Sequence, residues 1–239
     1  MFKVRQVTSN LLQLTWWGVF NSYLVREDGG FTAVDTGLNQ SAPAILKTAA
    51  AQGLPINRIA LTHAHGDHAG SLDALAATLP GAEVTFGKRS ARFLQGDLAL
   101  AEGEPQSPLR GSFVRRETQA ARLLKPGERL GSLQVIAAPG HTPDQIAFFD
   151  ERDGTLLAGD AFQTQAGLAV SGMVHWLFPF PALATWHLPA ALDTAMRLRD
   201  LRPARLVVGH GRVLVDPLAA MDEAIAAAQG KVNGQAQTA

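Results

Sequence analysis

Leu61-Thr62-His63-Ala64-His65-Gly66-Asp67-His68 is the stretch that decides how this chain is read. It places three imidazoles and one carboxylate within six residues. Both groups are preferred ligands of Zn2+ and similar ions. Residues 58–62 read as a strand, and a strand ending at His63 cannot aim all four side chains at one point. A segment that runs extended and then turns can aim His63 and His65 one way, and Asp67 and His68 another. That points to two adjacent metal ions. A single ion or a closed structural zinc site are the weaker alternatives, since structural sites use four ligands and are usually rich in cysteine.

Working outward, five of the seven histidines stand in comparable places. Besides the three in the opening stretch, they are His141, in Pro139-Gly140-His141-Thr142-Pro143, and His210, in Val208-Gly209-His210-Gly211. Glycines beside them let the backbone bend so that a side chain can approach an ion. The order of elements also repeats. Apolar runs 19–25 and 31–34 flank an Asp28-Gly29-Gly30 turn and lead to Asp35, a helical segment 40–52 and the strand before His63. Runs 145–149 and 155–158 flank Asp153-Gly154 and lead to Gly159-Asp160, a helical segment 187–201 and a strand 205–208 before His210. Asp-Gly between apolar runs is a hairpin signal, and the helical segments carry apolar residues at helical spacing.

The chain therefore reads as two similar α+β halves, each presenting polar residues at strand ends. Two facing sheets with helices outside would bury both apolar faces and bring those ends to one edge. Residues 88–122 and 161–186 fit the repeat less well; long irregular segments of this kind usually serve function, and both are expected beside that edge. A single domain over 1–230 is expected, with the polar residues 231–239 as a frayed tail.

Of the 239 residues 46% are hydrophobic, which suits a large core, and 21 basic residues balance 21 acidic ones. The balance gives no electrostatic case for nucleic acid or an anionic membrane. The arginines between Arg110 and Arg122 are interrupted by Glu117 and read as a solvated face. Without cysteine there is no disulfide, thiolate nucleophile or Cys-based zinc site. The apolar run 11–25 is too short to span a bilayer and has no following cleavage site, so it reads as strands. A cytoplasmic protein acting on a small molecule, as monomer or homodimer, is expected.

HAHGDH at 63–68, PGHTP at 139–143, Ala158-Gly159-Asp160 and Gly209-His210-Gly211, in that order, resemble the metallo-β-lactamase fold superfamily over roughly residues 19–212. The resemblance implies an α/β (α+β) fold, a four-layer αββα sandwich of two similar halves. It implies one metal on His63, His65 and His141, a second on Asp67, His68 and His210, and Asp160 bridging them. Asp35 would orient a ligand histidine from behind. Two divalent ions, Zn2+ with Fe or Mn as alternatives, would share an attacking hydroxide. Asp67 and Asp160 are the expected catalytic carboxylates, Asp67 as proton shuttle.

Asp160 as the bridging ligand resembles the glyoxalase II and lactonase branch, and the absence of cysteine excludes β-lactamases with a Cys ligand. His65 argues against the flavodiiron branch, which has Glu there. The reaction expected is hydrolysis of a small lactone, ester or thioester; the alternatives are a phosphodiesterase or a β-lactamase-like amide hydrolase on the same site. Met173, Trp176, Phe178 and Phe180 are candidates for an apolar substrate pocket. Lys88, Arg89 and Arg92 would favour phosphodiester chemistry if they reached it. His187 is expected to begin a helix.

Overall fold

Alternation along the strands decides how the layers stack. Tyr23 and Val25 face one apolar cluster while Leu24 between them faces another. Ile146 and Phe148 likewise share a cluster that Ala147 does not. Side chains of period two on a strand must face opposite sides of the sheet, so these sheets are covered on both faces.

The structure is a computed structural model and describes residues 1–175 and 177–238. The first sheet has seven strands in sequence order: β1 (Phe2–Thr8), β2 (Leu11–Trp16), β3 (Phe20–Glu27), β4 (Gly30–Val34), β5 (Ile56–Ala60), β6 (Glu83–Gly87) and β7 (Arg122–Leu124). Strands β1 to β4 pair antiparallel and β4 to β7 parallel. The second half contributes β8 (Arg129–Leu130), β9 (Leu133–Ala137), β10 (Ile146–Asp150) and β11 (Thr155–Leu157). A small ribbon, β12 (Phe162–Gln163) with β13 (Ala169–Val170), follows, then β14 (Arg205–Val207) and β15 (Leu214–Val215). The second sheet runs β15-β14-β11-β10-β9-β8.

Six helices complete the described chain: α1 (Ala42–Ala51), α2 (Leu72–Thr78), α3 (Lys88–Leu94), α4 (Phe180–Leu183), α5 (Leu188–Asp200) and α6 (Leu218–Thr238). One core cluster joins α1, through Ala42, Ile45 and Ala49, to Leu24, Ala33 and Ile59. A second packs the two sheets together, with Tyr23, Val25 and Val34 against Val135, Phe148 and Val207. A third joins α5 and α6, through Leu192, Leu198 and Met221, to Ala147, Leu156 and Leu206. Helix, sheet, sheet, helix is the expected αββα sandwich.

The repeat is visible in the pairing. An antiparallel hairpin β3–β4 leads through α1 to a parallel strand β5, and β10–β11 leads through α5 to the parallel strand β14. The carboxyl ends of β4, β5, β11 and β14 therefore emerge at Asp35, His63, Asp160 and His210. Ligand sites of open α/β sheets lie beyond such ends.

Two expectations are corrected. Strand β5 ends at Ala60, because the amide of Thr62 donates to Asp35 Oδ1 (2.7 Å) instead of to a neighbouring strand. The helix α6 runs through Lys231–Thr238, where polar composition suggested a frayed tail. Val232 packs on the third core cluster, and Lys231 Nζ donates to the Gly172 carbonyl (3.2 Å), which ties down the first residues of this stretch. No helix among the described residues is long and apolar enough to cross a membrane.

Candidate metal centre

The local chain path after β5 explains how four donors from one segment diverge. Gly66 N donates to Ser112 O and Val114 N to Ala64 O, so the segment 112–114 lies alongside His63–Gly66 as a partner strand would. His68 N and Ala69 N then both bond back to His65 O, closing a turn that carries Asp67 and His68 to the other side. Asp144 Oδ2 accepts the Ala64 amide (3.0 Å) and fixes the segment from below.

Each ring nitrogen can be assigned by following hydroxyl and amide donors outward. Thr62 Oγ1 donates to Asp35 Oδ2 (2.9 Å), so the Nδ1–H of His63 donates to Thr62 Oγ1 (3.0 Å). Thr185 Oγ1 donates to Pro181 O and Ser171 Oγ to Asp160 O, so the Nδ1–H of His141 donates to these hydroxyls (3.2 and 3.1 Å). His65 Nε2–H donates to Arg110 O (3.0 Å) and His68 Nδ1–H to Asp35 Oδ2 (2.8 Å). A neutral imidazole has one N–H and one lone pair. The lone pairs left over are His63 Nε2, His65 Nδ1 and His141 Nε2, joined by His68 Nε2 once its second proton is displaced, and all point inward.

His65 Nδ1 lies 3.2 Å from His63 Nε2 and 3.1 Å from His141 Nε2. Three lone pairs so placed repel one another unless a cation lies among them. On the other side, His210 Nε2 is 3.2 Å from Asp67 Oδ2, and His68 Nε2 is 3.7 Å from it. Asp160 reaches both groups: Oδ1 is 3.3 Å from His68 Nε2, while Oδ2 is 3.0 Å from His210 Nε2 and 3.4 Å from His141 Nε2. His68 Nε2 and Asp160 Oδ1 are buried and lack a hydrogen-bond partner. Buried polar atoms are rarely left so, and these two face the cluster. Three overlapping donor groups, His63 with His65 and His141, His63 with His68 and Asp160, and Asp67 with His68 and His210, would fit two divalent cations with Asp160 between them.

Electrostatics separates the two sets. Burial holds His63, His65 and His141 below the ordinary imidazole range, His141 at about 3, so they are neutral and ready to ligate. Burial opposes charge at His68 and His210 as well, but Asp160 overrides it, helped by Asp67 and, at His68, by Asp35. His68 is held well above the usual range and His210 is pushed up to about 9. In return these histidines keep Asp67 and Asp160 ionised against their own burial.

Glycines make room. A Cβ on Gly209 would meet His68 Cε1 at 2.6 Å and Asp160 Oδ1 closer still. The turn carrying His210 is held from the first sheet: Asn21 Nδ2 donates to Val208 O (2.9 Å) and Gly211 O (2.8 Å), and the Tyr23 hydroxyl donates to Val208 O (2.7 Å).

A cavity of about 880 Å3 opens onto the cluster. Phe20, Leu38, Phe178, Phe180 and Leu183 form much of its wall, together with Arg116. Of the residues expected to line a substrate pocket, Phe178 and Phe180 line this cavity. Met173 does not: it packs on the core beneath α5 and α6. Trp176 lies outside the described residues. Arg89 pairs with Glu104 and lies over the Phe93 ring, and Arg92 pairs with Asp97; neither Lys88, Arg89 nor Arg92 lines this cavity. His187 caps α5 by accepting the Ala190 amide (3.2 Å).

Sequence reasoning missed Arg116, hidden in a run read as a solvated face. It also missed Thr62, Ser171 and Thr185, whose hydroxyls set imidazole tautomers and which no spacing marks out.

A centre of imidazoles and carboxylates at the strand ends of an αββα sandwich defines a metal-dependent hydrolase. The sequence profile of the metallo-beta-lactamase superfamily matches residues 15–210, and the chain belongs to that superfamily. The uncharacterised Bacillus subtilis (strain 168) protein YobT is 47% identical over 206 residues, 86% of this chain and 88% of YobT. A hydroxyacylglutathione hydrolase of Xanthomonas axonopodis pv. citri (strain 306) is 32% identical over 81% of this chain, which spans 61% of that enzyme. Among solved structures, TTHA1623 in a di-iron-bound form superposes with a TM-score of 0.63 at 26% identity, covering 86% of this chain and 94% of the other.

Proposed function

We propose that this chain hydrolyses a small lactone, ester or thioester with an apolar group, using two zinc ions. The observation that carries the reading is the largely apolar cavity opening onto the seven metal-facing side chains. A wall of Phe20, Leu38, Phe178, Phe180 and Leu183 suits a hydrocarbon group and leaves the carbonyl at the ligand floor. A relative named for hydrolysis of hydroxyacylglutathione, a thioester, supports carbonyl chemistry. Zinc suits the imidazole and carboxylate donors, which also accept iron, as the di-iron form of TTHA1623 illustrates.

Two divalent cations in the centre would supply Lewis acidity, lowering the pKa of water toward ~7 and polarising a carbonyl. His63, His65 and His141 would hold one ion through their bare nitrogens, and Asp67, His68 and His210 would hold the other. Asp160 faces both sets and would lie between the two ions. Asp67 and Asp160 both line the cavity, but Asp67 is 18% exposed where Asp160 is 3% exposed, so Asp67 is the carboxylate more open to solvent. Its ionised Oδ accepts the hydrogen bond of the attacking water and passes that proton to the leaving group.

Metal analysis followed by a hydrolysis panel tests this. The panel holds an acyl-homoserine lactone, an aryl ester, a thioester, a β-lactam and bis-p-nitrophenyl phosphate. The expected result is two zinc ions per chain and turnover of at least one of the first three. Asp160→Ala should lower metal content and remove most of that turnover. Phosphodiester turnover without carbonyl turnover would overturn the proposal.

A further inference from the structure

The cavity wall holds a charge that metal chemistry does not use. Among the described residues lining it, Arg116 is the one Lys or Arg side chain. Its head is held by backbone carbonyls: Nε donates to Ala69 O (2.7 Å), Nη1 to Arg115 O (3.1 Å) and Nη2 to Gly70 O (2.8 Å). A guanidinium has five N–H donors, and three are engaged here, so one on each terminal nitrogen is left over. Asp73 feels the charge of Arg116, but its Oδ1 accepts from Thr118 Oγ1 (2.6 Å), Thr118 N and Glu117 N, and it forms no ion pair with Arg116.

Neutral carbonyls orient this cation without neutralising it. They also hold it still, so an arriving anion would meet a fixed fork at little entropic cost. Placement on the wall is equally specific. Ala69 and Gly70 directly follow His68, and Val114 lies against Gly66, so Arg116 belongs to the Asp67 side of the cavity. Phe20 and Phe178 pack on the ring of His210, with centroids 5.4 and 5.7 Å away, and form the other side. Phe180 and Leu183 continue that side outward, 68% and 57% exposed, as apolar surface awaiting contact.

We infer that Arg116 binds an anionic group of the substrate, so that the substrate class is an amphiphilic carbonyl compound bearing a carboxylate or similar anion besides its apolar part. For the reaction this rests on the carbonyl-hydrolase proposal; for binding it does not. The neutral carbonyl at the metal centre and the anion at Arg116 are two points of attachment, and the apolar side is the third. Arg116 thereby selects among esters rather than taking part in bond cleavage.

Two pairs of probes test it on the zinc-loaded enzyme. In binding, hexane-1-sulfonate, a poor metal ligand, is compared with the neutral hexyl methyl sulfone by calorimetry. In kinetics, mono-p-nitrophenyl adipate is compared with p-nitrophenyl hexanoate. The wild type should favour the anionic member of each pair by roughly ten- to a hundredfold, the worth of a charge-assisted hydrogen bond. Arg116→Gln should remove that preference and Arg116→Lys should keep part of it, because the charge survives although the fork is lost. A wild type that treats both members alike overturns the inference. So does a preference unchanged in Arg116→Gln, or equal losses on all probes in both variants, which would make Arg116 a clamp on Ala69 and Gly70. If sulfonate selectivity depends on Arg116 while no ester is cleaved, the anion site stands and the carbonyl-hydrolase proposal falls. If esters are cleaved without regard to charge, the reverse holds.

Discussion

At the scale of single residues, Asp35 shows how much of the centre lies behind the ligands. Its φ is 62°, in the left-handed region that is costly for most residues but tolerated by Asp and Asn. From there its carboxylate takes the Thr62 amide and hydroxyl and the Nδ1–H of His68. One side chain thus fixes the tautomers of His63, through Thr62, and of His68 directly. Asp35→Asn keeps the backbone conformation but offers only one acceptor oxygen. Metal affinity is expected to fall by roughly ten- to a hundredfold, as for other partners of ligand histidines, while the circular dichroism spectrum stays native. Asp67→Asn should behave differently, cutting kcat more than metal content, because Asp67 is the exposed proton acceptor. Metal stoichiometry measured beside kcat for both variants separates the roles; full metal loss in Asp67→Asn would refute the shuttle. The ligands themselves were legible in the sequence because imidazoles beside glycines at strand ends are rare and chemically explicit. Thr62, Ser171 and Thr185 were not, since a hydroxyl that sets a tautomer can come from any element that passes nearby.

At the scale of elements, the legible features were those with a local cause. Asp-Gly turns and apolar periodicity marked β3–β4–α1–β5 and β10–β11–α5–β14 to within a few residues. The segments 88–122 and 161–186 were expected beside the centre, with Phe178 and Phe180 as pocket candidates, but their paths were not legible, because loop paths are set by contacts distant in sequence. Arg116 is the instructive case: read along the chain it belongs to a solvated arginine run, whereas in the fold it lines the cavity while its head is held by the carbonyls of Ala69 and Gly70. The turn after β14 yields a prediction at this scale. Gly209 leaves no room for a methyl group beside His68 and Asp160. Asn21 and Tyr23 hold the Val208 carbonyl, so the turn cannot simply move away. Gly209→Ala should therefore cost about 1–3 kcal/mol of stability, as overpacking does, and reduce activity further by displacing Asp160. Thermal melts with and without metal check it. Equal melting temperatures and activity in variant and wild type would show that the turn relaxes freely.

At the scale of the whole molecule, the centre joins the two sheets. Asp35, His63, His65, Asp67 and His68 come from the first, whereas His141, Asp160 and His210 come from the second, so cations that draw these residues together also brace the sandwich. A ligand present at about a thousand times its Kd adds roughly 4 kcal/mol, and in a domain of this size that corresponds to about 10 °C in Tm. Chelation should lower Tm by that order. The size of the shift should also depend on pH, and the sign follows from His210. Burial works against its charge, but Asp160 and Asp67 raise its folded pKa to about 9, above the ordinary 6.5. A raised imidazole contributes stability to the metal-free chain in full below pH 6.5 and loses it as pH rises through 9. His68, also raised, acts in the same direction. Asp67 and Asp160, held low, are ionised in the folded and unfolded chain alike throughout that window and add nothing, while His63, His65 and His141, also held low, give back only a smaller amount just above pH 6.5, where the unfolded chain releases its histidine protons. Metal binding has to displace the protons from His210 and His68, and that competition fades over the same range. The gap between metal-loaded and chelated Tm should therefore widen from pH 6.5 to pH 9. A gap that stays flat or narrows in scanning fluorimetry across those pH values would mean that His210 and His68 do not carry protons in the metal-free chain, and that the carboxylates Asp67 and Asp160 are balanced by some other charge.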